Sequence, residues 1–144
     1  MGRIQIELPE KRPFTHTITT RVTDLNYGGH VGNDRFLAYA QEASAAYFHS
    51  LGYTETNLRQ EMLGIIMSDS AVVYKKEVFA GEALDIEIGA MDRHKYGFDL
   101  ICTMKSRSHG QEVARAKSGM ICFDYDTRKV AILPQKIVAA LGFE

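Results

Sequence analysis

The sequence has no long apolar run, no block of like charges and only two cysteines. No stretch approaches the roughly 18 consecutive apolar residues of a membrane-spanning helix, and the N-terminal stretch MGRIQIELPEKRPF lacks the apolar core of a signal peptide. With a formal net charge of −1 and no basic block, nothing indicates a nucleic-acid partner. Cys102 and Cys122 each lie inside an apolar, strand-like run, which indicates core thiols in a reducing compartment. These absences predict a cytoplasmic protein that binds neither membranes nor nucleic acids, and the lack of any zinc-type His/Cys spacing predicts no metal.

Length and composition are those of one ordinary globular domain. The chain has 144 residues, of which 45% are hydrophobic and 24% are charged. A single core of this size can be stable by itself. No internal repeat, low-complexity tract or Pro/Gly/Ser-rich linker divides the sequence, so we expect a single domain over residues 1–144.

The first half of the sequence predicts a strand, a loop and a long helix. Residues 14–22 are rich in Thr, Ile and Val and indicate a strand. Apolar residues then recur every three or four positions, which predicts a helix from Asp34 to about Leu51 with Asn33 as N-cap and Gly52 as C-terminal stop. The many small residues of this helix indicate that it is buried among other elements.

The second half predicts strands joined by short turns. A polar connection leads to an apolar run over residues 65–79, and two segments then alternate apolar with polar residues, namely Leu84, Ile86 and Ile88, and Phe98, Leu100, Cys102 and Met104. A last long strand covers 112–125, and a short amphipathic helix follows Pro134. Consecutive strands with tight turns favour an antiparallel sheet, so we predict an α+β domain in which that sheet wraps around the long helix.

The loop before the long helix gathers the residues with the clearest chemistry. Asp24, Asn26 and His30 cluster there, and Gly28 and Gly29 leave room for a ligand to approach the backbone. His30 or Asp24 can activate a water molecule as a general base.

Backbone N–H groups at the start of the helix, around Val31 and Asn33, lack intrahelical partners and lie at the positive end of the helix dipole. A carbonyl held by the backbone of Gly29 to Val31 is polarised there, and the oxyanion formed by attack on it is stabilised. The sequence therefore predicts a site at which a carbonyl, for example that of a thioester, is open to attack by water.

The stretch RVTDLNYGGHVGNDRFLAYAQEA resembles the signature of hotdog-fold thioesterases of the 4-hydroxybenzoyl-CoA thioesterase type. In that signature an Asp-x-Asp/Asn…His-Val-x-Asn loop enters a central helix. The resemblance implies subunits paired through their sheets, as a homodimer or homotetramer, with active sites at the subunit interface. It implies acyl-CoA or acyl-carrier-protein substrates, and no separate cofactor, because coenzyme A is part of the substrate.

One position departs from that signature. In many members of the family the catalytic Asp is the second acidic position of the loop, which here is Asn26. An amide cannot act as nucleophile or base, so either His30 or an acid from elsewhere must activate the water. Asp69 is one candidate, because it interrupts an apolar strand where a buried carboxylate is costly. Glu42 is another, because some family members use a Glu on this helix.

Each candidate also has a purely structural interpretation. His30 can be a satisfied loop histidine, Asp24 can cap its own turn and Asn26 can favour a left-handed turn. Glu42 can be a solvated helix charge in an ion pair, and Asp69 can face solvent at a strand end.

Other functions also remain open. Without a catalytic acid the protein can be an acyl-CoA-binding module or sensor. A hotdog dehydratase fits less well, because the loop lacks the Pro-Gly-His pattern that those enzymes resemble. The glycines between the first strand and the helix also suggest a dinucleotide-binding turn, but no alternation of strands and helices follows. Five basic residues are candidate contacts for coenzyme A phosphates: Lys75, Lys76, Arg93, Lys95 and Lys117.

Overall fold

In the computed structural model, which describes residues 2–54 and 63–143, an antiparallel sheet packs against one long helix. The elements are β1 (Phe14–Thr19), α1 (Arg35–Ser50), β2 (Leu63–Tyr74), β3 (Ala83–His94), β4 (Gly97–Ser106), β5 (Glu112–Asp124), β6 (Lys129–Val130) and α2 (Gln135–Ala140). The strand order is β1-β3-β4-β5-β2, and β6 pairs with β5. The predicted order of elements is confirmed, with β6 added. Most of the polar connection predicted after α1 lies outside the described residues.

Alternation in β3 and β4 builds the core. Leu84, Ile86 and Ile88 of β3 are buried, and so are the alternating apolar residues of β4, namely Phe98, Leu100, Cys102 and Met104. Period-2 alternation places these side chains on one face of the sheet, which is the face that α1 covers. The prediction of a half-buried strand is therefore confirmed for β3, whereas β4 also buries Ile101 and Thr103 on its other face.

Two strands are shorter than predicted, and both end where the chain leaves the sheet to build the loop region. The strand predicted over 14–22 ends at Thr19, because a turn of 3₁₀ helix begins at Val22. The run predicted as extended to residue 79 leaves the sheet after Tyr74, where the N–H groups of Lys75 and Lys76 both donate to the Val113 carbonyl. Two donors on one acceptor break the regular ladder.

Helix α1 begins one residue later than predicted and ends as predicted. Its N-cap position is Asp34 rather than Asn33, and the Asp34 side chain makes no capping hydrogen bond. The preceding turn takes over that role, since the Arg35 N–H donates to the Gly32 carbonyl at 3.0 Å. Gly52 has φ +87°, the left-handed conformation that makes glycine the favoured helix stop.

Only one face of α1 is buried, so the prediction of a buried helix holds for that face and not for the other in the single chain. Seven residues form the buried face, namely Phe36, Tyr39, Ala40, Ala43, Ser44, Tyr47 and Phe48. Ala38 and Ala45, on the other side, are exposed. Small side chains therefore do not by themselves report burial. Within the described residues, no helix combines the length and the apolar character needed to cross a membrane.

The N-terminal segment, residues 2–13, crosses the face of the sheet opposite α1. Arg115 Nη1 donates to the Ile6 carbonyl at 2.8 Å. A Cβ placed at Gly89 would lie 2.3 Å from the Lys11 carbonyl oxygen, so the segment passes directly over this glycine. No periodic pattern in the sequence predicts this crossing.

Candidate active site

The loop between β1 and α1 is closed by its own backbone. The Gly32 N–H donates to the Asp24 carbonyl at 3.0 Å, and the Asn26 N–H donates to the His30 carbonyl at 2.9 Å. These bonds bring the two ends of the loop together directly before α1. These hydrogen bonds therefore hold the backbone of the loop in place and fix the positions of the side chains that it carries.

The Asp24 carboxylate is directed at α1 and at the loop backbone. Its Oδ2 accepts hydrogen bonds from the Tyr39 hydroxyl at 2.8 Å and from the Arg21 N–H at 3.0 Å. Partial burial tends to raise the pKa of Asp24, but these two hydrogen bonds and the nearby charge of Arg35 outweigh burial and lower it. The same arrangement, with burial as the largest cause, raises the pKa of Tyr39. The bond from Arg21 lies within the turn that Asp24 was expected to cap, and the bond from Tyr39 additionally fastens the loop to the helix.

Asn26 and His30 border the same bare backbone at Gly28. The Asn26 Oδ1 accepts the Gly28 N–H at 2.9 Å, which leaves the amide N–H₂ without a partner among residues 2–54 and 63–143. A Cβ added at Gly28 would lie 3.2 Å from Asn26 Oδ1 and 3.4 Å from His30 Nε2. Gly29 follows with φ +83°. A side chain at position 28 would therefore crowd both polar groups.

The backbone of Gly29 to Val31 was predicted to form the oxyanion site, and this is wrong for the N–H groups of Gly29 and Val31. The Val31 N–H donates to the Val78 carbonyl at 2.8 Å, and the Gly29 N–H donates to the Asn26 carbonyl at 3.1 Å. Both N–H groups therefore already have acceptors, one in the stretch after β2 and one in the loop's own turn. In the described part of the chain, the backbone N–H groups of His30 and Asn33 have no acceptor. Those two remain available to a substrate oxygen.

A cleft of about 610 Å³ opens between this loop and the stretch that follows β2. We call it the loop cleft. Its walls are Asn26, Tyr27, His30, Val31, Gly32, Asn33, Asp34 and Phe36 on one side, and Tyr74, Lys75, Lys76, Glu77 and Val78 on the other. The two walls are joined where the Tyr74 hydroxyl donates to the Asn33 carbonyl at 2.9 Å and the Phe36 and Tyr74 rings meet edge to face at 5.5 Å.

Four of the predicted site residues line the loop cleft: Asn26, His30, Val31 and Asn33. Two of the five predicted basic residues, Lys75 and Lys76, line it as well. Lys75 Nζ lies 3.0 Å from Glu112 Oε1, whereas Lys76 Nζ bonds to the uncharged Gln111 Oε1 at 2.8 Å. Since no carboxylate in the described part of the chain pairs with Lys76, its charge at the cleft is uncompensated there.

The acids predicted to replace the missing carboxylate lie elsewhere. Asp69 was expected to be buried, but its side chain is 62% exposed and lies 2.7 Å from Lys117 Nζ, beside an irregularity in the register of β2. Glu42 Oε2 lies 2.6 Å from His16 Nε2 of β1. Neither residue lines the loop cleft. Asp69 faces solvent as in its structural interpretation, but inside β2 and not at a strand end. Glu42 is an exposed helix charge as in its structural interpretation, with a histidine as its neighbour.

Seven cleft residues were not singled out as site residues in the sequence, among them Asp34, Tyr74 and Glu77. Asp34 follows the loop signature directly, so its position alone was a usable signal. Tyr74 and Glu77 come from a distant part of the chain that the fold brings opposite the loop, and no local pattern marks them.

The two cysteines are buried free thiols, as predicted. Burial raises the pKa of the Cys102 thiol to about 12 and also raises that of Cys122, so neither is poised as a nucleophile. Within the described residues, no group of three or more His, Cys, Asp or Glu side chains is placed to hold a metal ion.

Several known proteins share this fold. The family model of the thioesterase-like superfamily matches residues 20–141. A 1,4-dihydroxy-2-naphthoyl-CoA thioesterase from Synechocystis superposes with a TM-score of 0.81 at 20% identity, over 89% of this chain and 94% of that one. A Staphylococcus aureus protein in complex with CoA gives 0.80 at 15% identity, over 88% and 80%. A gentisyl-coenzyme A thioesterase gives 0.79 at 14% identity, over 90% and 100%. No curated protein sequence matches this chain.

The structural similarities establish the fold, and the family match adds the sequence features of the loop, the helix and the strands behind them. That match begins at Thr20 and ends at Leu141, so it contains the whole loop cleft. This protein has the predicted hotdog fold and belongs to the thioesterase-like superfamily.

Proposed function

We propose that this protein hydrolyses acyl-coenzyme A thioesters to a free acid and the coenzyme A thiol. The observation that carries the proposal is the loop cleft, in which the family's loop faces Tyr74–Val78 across a space of about 610 Å³. That volume suits a small acyl group and the end of its pantetheine arm. The site combines an imidazole, a free amide donor and free backbone N–H groups, which are the components of carbonyl attack.

The substrate carbonyl lies against the loop in this proposal. The Asn26 amide and the His30 N–H donate to the carbonyl oxygen, and the positive end of α1 favours the charge that develops there. Asn26 is held for this task because Gly28 fixes its Oδ1 and leaves its N–H₂ free. The amide that replaces the family's Asp thus orients the substrate and does not attack it.

Coenzyme A is the proposed carrier because Lys76, with its uncompensated charge, is available to its phosphates. The coenzyme A complex of a structurally similar protein supports this choice. Aromatic acyl groups are the proposed acyl class. Tyr27, Phe36 and Tyr74 line the loop cleft, and two similar structures are thioesterases of the aromatic 1,4-dihydroxy-2-naphthoyl and gentisyl groups.

We also propose that the protein acts in the cytoplasm as a homodimer or homotetramer. The sheet has β1 and β2 at its two ends, and an unpaired strand edge invites pairing with another chain. Three large apolar side chains on or beside β2 and α1 are exposed, namely Leu37, Met67 and Tyr74. Pairing of two copies across this side would cover them.

Thiol release from a panel of acyl-CoAs tests the proposal. The panel contains short aliphatic, long aliphatic and aromatic members, with the matching acyl-carrier-protein thioesters beside them. We expect turnover, highest for an aromatic acyl-CoA. Binding of acyl-CoA, seen as a rise in Tm, without turnover on any member would instead identify the acyl-CoA-binding module that lacks a catalytic acid.

A further inference from the structure

Thioester hydrolysis in the loop cleft needs a proton acceptor, and Asn26 is not one. Among the described residues, the carboxylates that line the cleft are those of Asp34 and Glu77. Asp34 belongs to the wall that also carries Asn26 and His30, whereas Glu77 belongs to the opposite wall. The question is therefore which carboxylate lies where the missing one would act.

The surroundings of Gly32 identify Asp34 as that carboxylate. A Cβ added at Gly32 would lie 2.7 Å from Asp34 Oδ1 and 3.8 Å from the Cβ of Asn26. The Asp34 carboxylate therefore lies over the bare Cα of Gly32, beside the Asn26 side chain. Gly32 does not have the positive φ that favours glycine. Its relevance here is that it has no side chain, which leaves room for the Asp34 carboxylate.

The Asp34 carboxylate is also free. It makes no capping bond to α1, and within residues 2–54 and 63–143 it has no hydrogen-bond or ion-pair partner. Asp24, by contrast, is held by Tyr39 and Arg21, and Asp69 is held by Lys117. A carboxylate without a partner, lying beside a substrate-orienting amide, is available to a water molecule.

We propose that Asp34 is the general base of the hydrolysis, and that it replaces the carboxylate absent at position 26; this inference rests on the proposed function. Asp34 accepts a proton from a water molecule as the water oxygen forms a bond to the thioester carbonyl carbon. The oxyanion then collapses, the C–S bond breaks and the sulfur leaves with the bonding electron pair. Asp34 returns its proton to the sulfur, so the products are the free acid and the thiol.

Asp34→Asn is the first test, in the full-length protein with the best acyl-CoA of the panel. We expect kcat to fall roughly 10²- to 10⁴-fold, as for loss of a general base, with KM little changed and the acidic limb of the pH–kcat profile lost. Glu10→Gln is the matched control, because Glu10 is an exposed acid of the N-terminal segment. The control is expected to keep the kcat and the pH profile of the wild type.

Gly32→Ala keeps the Asp34 carboxylate but moves it. The added methyl group would meet only the end of a flexible side chain at short range, so the fold is retained and the carboxylate is pushed away from Asn26. We expect at least about a tenfold loss of kcat, within the contribution of a positioned base. An unchanged Tm shows that the loss is not unfolding.

Rescue separates a catalytic role from a structural one. Asn26→Asp in the Asp34→Asn background restores a carboxylate beside the same space, and its Oδ1 can still accept the Gly28 N–H. We expect this double variant to regain at least about tenfold in kcat over Asp34→Asn. No structural role of Asp34 predicts such a recovery.

A kcat of Asp34→Asn within twofold of a working wild type overturns the assignment and leaves the thioesterase proposal standing. A loss of kcat confined to Glu77→Gln also overturns it, since the base would then lie on the opposite wall. Failure of the wild type to release thiol from any acyl-CoA overturns both proposals.

Discussion

The outer face of the sheet and the loop cleft differ in how completely their charged side chains are paired. On the outer face, cations and anions meet each other: Lys117 Nζ lies 2.7 Å from Asp69, and Arg107 lies 2.7 Å from Asp85. In the loop cleft, Lys76 bonds only to an amide, and Asp34 has no partner among the described residues. Charges that the fold leaves uncompensated on a concave surface are available to a ligand, while the paired ones contribute to the surface of the protein.

Apart from the variants of Asp34, the largest expected effect is that of His30→Ala, which removes the imidazole from the loop cleft. We expect kcat to fall roughly 10²-fold, the lower end for a group that takes part in acid–base chemistry, while acyl-CoA still raises the Tm. Thiol-release kinetics and thermal unfolding with and without acyl-CoA measure the two effects. Slow turnover that is unchanged in His30→Ala would show that the loop cleft binds acyl-CoA without catalysis. The loop cleft would then not differ from the outer face in carrying catalytic groups.

Tyr39→Phe tests the anchor beneath the loop. Asp24 loses one of its two hydrogen bonds, and we expect the free energy of unfolding to fall by about 1 kcal/mol. Because the pKa of Asp24 is lowered in the folded protein, its stabilising effect is present above its ordinary value of 3.8 and is lost as the pH falls below that value.

Urea titrations of the wild type and Tyr39→Phe at a series of pH values measure this effect. The difference between the two proteins should shrink as the pH falls below the ordinary pKa of an aspartate. A difference that stays constant down to acidic pH would show that Tyr39 contributes by packing alone.

Lys75 and Lys76 allow the same comparison between neighbours. Lys75 shares the carboxylate of Glu112 with Arg115, whereas Lys76 has no carboxylate partner among the described residues, so Lys76→Met should raise the KM for acyl-CoA more than Lys75→Met. We expect an increase of up to about fivefold, since an exposed ion pair contributes about 0.2–1 kcal/mol. Steady-state kinetics at low and high salt provide the measurement, and equal effects of the two variants would contradict the assignment.

Asp69→Asn has the smallest expected effect. The pair with Lys117 is largely exposed on the Asp69 side, so its loss should reduce stability by about 0.2–1 kcal/mol. Because Asp69 lies outside the loop cleft, we expect kcat to change less than twofold. A large loss of kcat would mean that the outer face takes part in the reaction and that the two regions are not separate.

Much of the fold could be predicted because it depends on local patterns. Alternation at Leu84, Ile86 and Ile88 specifies one buried face of a strand, and the left-handed Gly52 ends the long helix. The boundaries were less predictable. Tyr74 ends β2 although the extended run was predicted to reach residue 79, because a shared acceptor in β5 interrupts the ladder. A strand's end therefore depends on its partner as well as on its own residues.

The candidate site was predictable in part, for the same reason. The sequence identified Asn26 and His30, since a short loop with glycines before a helix places its polar groups together whatever surrounds it. It misjudged the backbone donors of Gly29 and Val31. The acceptor of Val31 is Val78, and nothing in the loop itself reports that contact.

The sequence by itself determined the order of the elements, the core-facing side of β3 and β4 and the loop that carries the chemistry, because these follow from periodicity and from contacts between near neighbours. Tertiary structure alone decided which polar groups remain free. Asp24 is fastened by Tyr39, Asp69 is paired with Lys117, and Asp34 is left open over Gly32. All three residues are aspartates. Asp24 and Asp69 differ from Asp34 because they have partners from other parts of the chain, whereas Asp34 lies in the space that Gly32 leaves empty.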